Sequence, residues 1–152
     1  MKKLWWIILV LVVFGFIQLL GKRPPAVTGT GSNDLIRTSH VPQQVVTLLR
    51  TSCYDCHSNE THYPWYAHVA PVSWLVNRDV REARKALNFS NWADLKLSRK
   101  LKMLNKIGRE VDEGEMPMFV YPLMHRQAKL SAADRKLIVE WTESYGESLF
   151  SE

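Results

Sequence analysis

Cys53-Tyr54-Asp55-Cys56-His57 places two thiols three positions apart, with a histidine directly after the second. Thiols at this spacing can reach the two vinyl groups on one edge of a porphyrin and form thioethers. The following imidazole is then carried beneath the iron as a proximal ligand. The pattern reads as attachment of one covalent haem c per chain, held by Cys53 and Cys56, with His57 ligating the iron. The chain has only these two cysteines, so none remains for a structural disulfide. Two other chemistries compete. A thioredoxin-like dithiol wants a βαβ context, and no strand-like alternation surrounds the motif. A zinc site completed by His57 and one of His62 or His68 wants a second paired cluster, which the sequence lacks.

A c-type haem also needs a decision on its far face. The stretch Glu115-Met116-Pro117-Met118-Phe119 follows a helix end. Pro117 biases Met116 towards an extended conformation, and a methionine on a loop can approach iron from the side opposite His57. Thioether ligation stabilises ferrous iron and raises the potential. Met116 as a simple core filler is the competing reading. Met118, Met124, His125, His62, His68 and Met103 are the other candidates, Met103 lying on an apolar helix face.

The amino terminus bears on where such a site would sit. After Met1-Lys2-Lys3, residues 4–20 (LWWIILVLVVFGFIQLL) carry no charge. They would span roughly 26 Å as a helix, close to a bilayer core of about 30 Å. Trp5 and Trp6 suit one interface, and Lys22 and Arg23 the other. A cleaved signal peptide is the alternative, but small-x-small cleavage sites are poor here. Thioether formation needs reduced thiols and dedicated machinery, which in bacteria lies outside the cytoplasmic membrane. The expectation is a single-pass inner-membrane protein with its haem domain on the periplasmic side.

Charge does not point to nucleic acid. Of 20 Lys and Arg, four lie in residues 1–30 with no acids, leaving 16 against 15 Asp and Glu. The pI of about 9.3 is largely a property of the anchor. The division expected is an anchor at 1–22, a flexible linker at 23–36 rich in Pro, Gly, Thr and Ser, and a haem-binding domain at 37–148.

Periodicity within that domain is helical throughout, so the fold class is all-α behind one transmembrane helix. Pro42 sits in the first turn of a helix to about Ser52, capped near Ser39 or His40. Residues 58–70 read as a loop. Pro71 opens a helix to about Leu87, with Val76, Val80, Ala83 and Leu87 on one face. Residues 88–91 are turn chemistry. A third helix spans about 94–113 and stops at Gly114. The last follows a capping box at Ser131 and Asp134, with Leu137, Ile138 and Trp141 facing inward.

The sequence resembles the haem-binding domain family, small bacterial c-type cytochrome-like domains. The residues carrying the likeness are Ser52-Cys53-Tyr54-Asp55-Cys56-His57-Ser58-Asn59-Glu60-Thr61, Pro64-Trp65-Tyr66 and Ala70-Pro71-Val72-Ser73-Trp74-Leu75-Val76. Leu87-Asn88-Phe89-Ser90 with Trp92, Gly114-Glu115-Met116-Pro117, Tyr121, His125 and the segment from Leu130-Ser131 to Trp141 complete it. The resemblance covers about residues 40–145. It implies a cytochrome c-like helical fold, haem at Cys53 and Cys56, ligation by His57, and Met116 as the distal iron ligand. The family pattern usually reads Met-Pro-Pro; Met118 replaces the second proline and offers a second thioether.

Arg78, Arg81, Arg84 and Lys85 could pair haem propionates, or form a solvated helix face. Trp65, Tyr66, Trp74 and Trp92 could line a haem crevice or a shared core. Pro64 or Pro71 could offer a carbonyl to His57 Nδ1. Asp112, Glu113 and Glu115 read as a solvated helix end. No catalytic group beyond haem is evident, so the chain reads as a membrane-tethered electron carrier, not an enzyme. Its redox partner is not legible. A haem-based sensor or small-ligand binder with an open axial position is the alternative.

Overall fold

Apolar residues at helical spacing dictate what forms. The computed structural model describes residues 2–21 and 23–150. Met1 and Lys22, named above as flanks of the anchor, lie outside them. The described residues contain helices α1 (Lys2–Ile17), α2 (Leu35–Thr38), α3 (Gln43–Ser52), α4 (Tyr54–His57), α5 (Val72–Ala86), α6 (Leu97–Asp112), α7 (Val120–Met124) and α8 (Ala132–Ser148), with short 3-10 turns between them and no strand. The all-α expectation holds. With the 3-10 turn at Gln18–Leu20, α1 makes one apolar rod of 19 residues, none of it buried against the rest of the chain.

The core is built where α6 lies along α8. Met103, Leu104, Ile107 and Val111 meet Leu130, Ile138 and Trp141, and Leu35, Val45, Leu49, Tyr54, Phe89 and Trp92 close the cluster. Gly108 permits the close approach of the two helices: a Cβ there would stand 2.8 Å from Thr142 Oγ1. The box at the start of α8 is present. Asp134 N donates to Ser131 Oγ at 3.1 Å, and Ser131 N donates to Asp134 Oδ2 at 2.9 Å.

Several boundaries differ from the sequence reading. Pro42 stands just before α3 in an extended conformation, without a side-chain cap; its carbonyl accepts from Val46 N at 2.9 Å. The cap expected at Ser39 or His40 is therefore absent. The helix expected from residue 94 starts at Leu97, because a 3-10 turn at Phe89–Asp94 intervenes, opened by Asn88 accepting from Ser90 N at 3.0 Å. The loop at 58–70 contains a 3-10 turn at Trp65–His68.

The segment read as a free linker is fastened along its length. Thr28 N donates to Asn59 O at 3.0 Å, and Ala93 N to Asn33 O at 3.0 Å. Asp34 and Leu35 are fully buried. Glycine and proline composition gave no sign of this, because the partners lie far along the chain.

Candidate haem site

One turn of helix assembles the motif. The Cys53 carbonyl accepts from Cys56 N at 3.1 Å and from His57 N at 2.9 Å. Cys53 is both the end of α3 and the start of α4, with φ −126° and ψ −40° breaking the two helices apart. Each remaining member then has a separate task. Tyr54 turns into the core, stacks on Phe89 at 5.2 Å between centroids, and donates to the buried Asp34 Oδ1 at 2.9 Å. Asp55 faces the other way. Its Oδ2 accepts from Tyr121 OH at 2.6 Å, and its Oδ1 from His62 N at 2.9 Å.

His57 is oriented by α5. Its Nδ1 lies 3.1 Å from the Leu87 carbonyl. A carbonyl can only accept, so Nδ1 carries the proton and Nε2 is left as the ligating nitrogen. The partner expected from Pro64 or Pro71 is thus Leu87. That carbonyl lies just past the C-terminal end of α5, not at the prolines that precede the helix. Burial depresses the His57 pKa, opposed by its backbone hydrogen bonds. The ring is held neutral, the form that binds a metal.

Both thiols are raised by burial. Cys53 is pushed up to about 12 by burial and then by neighbouring Cys56, and Cys56 to about 11 by burial and then by Asp55. A dithiol oxidoreductase needs the opposite, a thiol pKa lowered towards neutrality. Among the described residues, no three His, Cys, Asp or Glu side chains gather as a metal cluster. His62 instead pairs with Asp55, and His68 packs edge-on to Tyr63.

Cys53, Cys56 and His57 line a cleft of about 300 Å³, walled by Ala83, Ala86 and Leu87 from α5, by Met103, Ile107 and Val111 from α6, and by Phe89. Met116, Pro117, Met118 and Tyr121 line the same cleft. The turn after α6 delivers them. Gly114 takes φ +78°, a region open to glycine at no steric cost. Met116 N then reaches back to Glu110 O at 3.0 Å. Arg135 from α8 braces the turn by donating to Val111 O at 3.1 Å. Met116 is half-buried against the core, whereas Met118 is 37% exposed.

Of the other candidates, Met103 and Met118 line the cleft beside Met116, and the rest are placed elsewhere. His125 Nε2 and Tyr66 OH share a hydrogen bond of 2.6 Å, and the His125 ring stacks on Tyr121 at 4.3 Å, outside the cleft lining. Met124 is exposed. Trp92 lies in the core and donates to Tyr145 OH at 3.0 Å, and Trp65 is exposed. Arg78, Arg81, Arg84 and Lys85 do not line the cleft. Arg84 binds the Ala26 carbonyl and Thr61 Oγ1, each at 2.8 Å, and Arg81 binds the Arg23 carbonyl. The lysine at the cleft is Lys106, which sequence reasoning missed. Its signal was there: Met103, Lys106, Ile107, Glu110 and Val111 follow the i, i+3, i+4, i+7, i+8 stripe of one helix face.

These residues fit a haem. The walls are mostly apolar, with Asp79, Glu82, Lys106 and Glu110 also among the lining residues. A neutral imidazole with its Nδ1 engaged faces the cleft, two thiols lie one helical turn apart beside it, and the thioethers of Met103, Met116 and Met118 line the same cavity. The profile of a haem-binding domain matches residues 9–144. No curated protein and no solved structure matches the chain. The match spans most of the sequence and contains every cleft residue, and the chain belongs to the haem-binding domain family.

Proposed function

We propose that this protein is a membrane-tethered mono-haem c-type cytochrome that carries electrons on the periplasmic side of the inner membrane. The observation that carries the reading is the convergence of Cys53, Cys56, His57 and Met116 on one apolar cleft. When bound, haem supplies a one-electron iron couple. The chain's own residues do the rest. Cys53 and Cys56 hold the group covalently. His57 would hold the iron through Nε2 while the Leu87 carbonyl fixes its ring. Met116 would hold the group through its thioether sulfur, a ligand type that favours ferrous iron. Ala83 and Ala86 from α5 and Met103, Ile107 and Val111 from α6 would give the group apolar contacts. The apolar rod Lys2–Leu20 supports tethering by its length and lack of buried residues.

The test is made on full-length protein from a host competent in haem attachment. Haem should remain with the polypeptide through acid-acetone extraction, and the spectrum should be low-spin and indifferent to CO. Complete loss of haem on extraction would remove the covalent reading. A high-spin spectrum with ready CO binding would replace the carrier by a small-ligand sensor. Mass spectrometry of the mature amino terminus tests the anchor. A start beyond Gly21 would make it a cleaved signal.

A further inference from the structure

The first turns of α5 are inside out. A helix packed on a soluble domain buries its apolar residues and exposes its polar ones. Here Ser73 and Asn77 are buried, while Val72 is 42% exposed, Leu75 56% and Trp74 38%. Trp65, in the turn just before, is 77% exposed. Four large apolar side chains are therefore exposed on the first turn of α5 and on the 3-10 turn packed against that helix, a corner of the domain with the apolar exposure that marks an interaction surface.

The chain itself says what lies against that corner. Gln18 is two residues from the end of the apolar rod, and it grips Ala70 on both sides: Ala70 N donates to Gln18 Oε1 at 2.9 Å, and Gln18 Nε2 donates to Ala70 O at 3.3 Å. Gly21 lies against the Trp74 indole. Beyond it, the Tyr63 hydroxyl holds Pro25 O at 3.1 Å, and Arg84 holds Ala26 O at 2.8 Å. The rod of 19 residues is about 28 Å long, near the thickness of a bilayer core. If it spans, Gln18 lies at the outer boundary, and Ala70 lies there with it.

We infer that the corner formed by Trp65, Val72, Trp74 and Leu75 rests in the lipid headgroup layer, so that the haem domain rides on the bilayer instead of swinging from a tether. Tryptophan suits that depth, with an apolar body and a polar edge. Arg78, one turn further along α5, is largely exposed; its Nε pairs with Asp79 Oδ1 at 3.3 Å, and the rest of its guanidinium is available to anionic headgroups. The far end of α5 supplies Ala83 and Ala86 to the cleft. Docking its first turn therefore fixes how the haem cleft faces the membrane. This rests on the reading of the rod as an uncleaved anchor.

The experiment uses full-length, haem-loaded protein in vesicles of phosphatidylcholine with a minor fraction of phosphatidylglycerol. A phospholipid carrying a photoactivated diazirine near its headgroup is included, and labelled peptides are mapped by mass spectrometry. Labelling is expected on the rod and also on peptides containing Trp65 and residues 72–75. Leu97 is exposed near the other end of α5, where Arg99 binds the Ala86 carbonyl at 3.0 Å, and it should stay unlabelled. The double variant Trp65→Ser with Leu75→Ser should lose corner labelling while keeping the rod labelled and the haem spectrum unchanged. Label on the rod alone overturns the inference and leaves the anchor standing. Corner label equal to that at Leu97 also overturns it. Label on neither rod nor corner removes the anchor reading itself. Wild-type protein alone decides between these outcomes if the double variant does not fold.

Discussion

The two sides of the haem cleft are held in different ways. On the near side, all five residues from Cys53 to His57 belong to one helical turn, and Tyr54, Asp55 and His57 each have a side-chain partner on another element. On the far side, Met116 is held by partial packing on the core and by a backbone bond to Glu110 behind a glycine turn, with Met118 nearby and exposed. Local geometry gathers Cys53, Cys56 and His57, and contacts of Tyr54, Asp55 and His57 lock the turn that carries them. The position of Met116 is set by one turn, its brace and packing on the core, so the far side is the softer part of the cleft.

The strongest way to break this contrast is to remove both thiols. Replacing Cys53 and Cys56 together with Ala should abolish covalent haem, read as complete loss on acid-acetone extraction. Retention would mean that attachment does not use the near side at all. Next, Met116→Ala should turn a low-spin spectrum high-spin or mixed and lower the midpoint potential. Met118→Ala should do much less, since Met118 is the more exposed of the two. A larger effect at Met118 would shift the ligand by two residues. His125→Ala should leave the spectrum unchanged, because its ring is engaged by Tyr66 and Tyr121.

Two variants sharpen the comparison energetically. Tyr54→Phe takes a donor from the buried Asp34 and should cost about 1–3 kcal/mol in denaturant unfolding. Absence of a cost would show that the near side is not locked through the core. Gly114→Ala puts a Cβ at φ +78° and 2.7 Å from the Arg135 guanidinium. It should cost about 1–2 kcal/mol and also weaken the Met116 thioether signature, whereas Tyr54→Phe should spare that signature. Equal spectral effects would erase the distinction between the sides.

The smallest effect expected is alkaline. Burial, and then interaction with Asp34, raises the Tyr54 pKa; burial and the hydrogen bond to Asp55 raise that of Tyr121. The unfolded chain gives up these protons from about pH 10 upward while the folded chain keeps them. The unfolded state then binds fewer protons, so stability is intact below that pH and falls as pH rises through it. Melting temperatures across this range should show the fall, and Tyr121→Phe should flatten part of it. An unchanged slope would mean that Tyr121 is not locked to Asp55.

The sequence determined what is local. A C-x-x-C-H run carries its own spacing, a capping box its own hydrogen bonds, and a charge-free stretch of membrane length its own solvent preference. Helical period likewise showed the faces of α6 and α8, and a Met-Pro after a helix end showed where to seek a far ligand. Tertiary structure alone decided the rest. It chose Leu87 over Pro64 and Pro71 for His57, put Lys106 at the cleft in place of the arginines of α5, and sent Trp92 to the core. It also drew Asp34 and Leu35 out of an apparent linker. Each of these outcomes depends on which distant segment arrives beside a residue. That is settled by packing α6 on α8 and fitting the turns around them, a global sum that no window of residues contains.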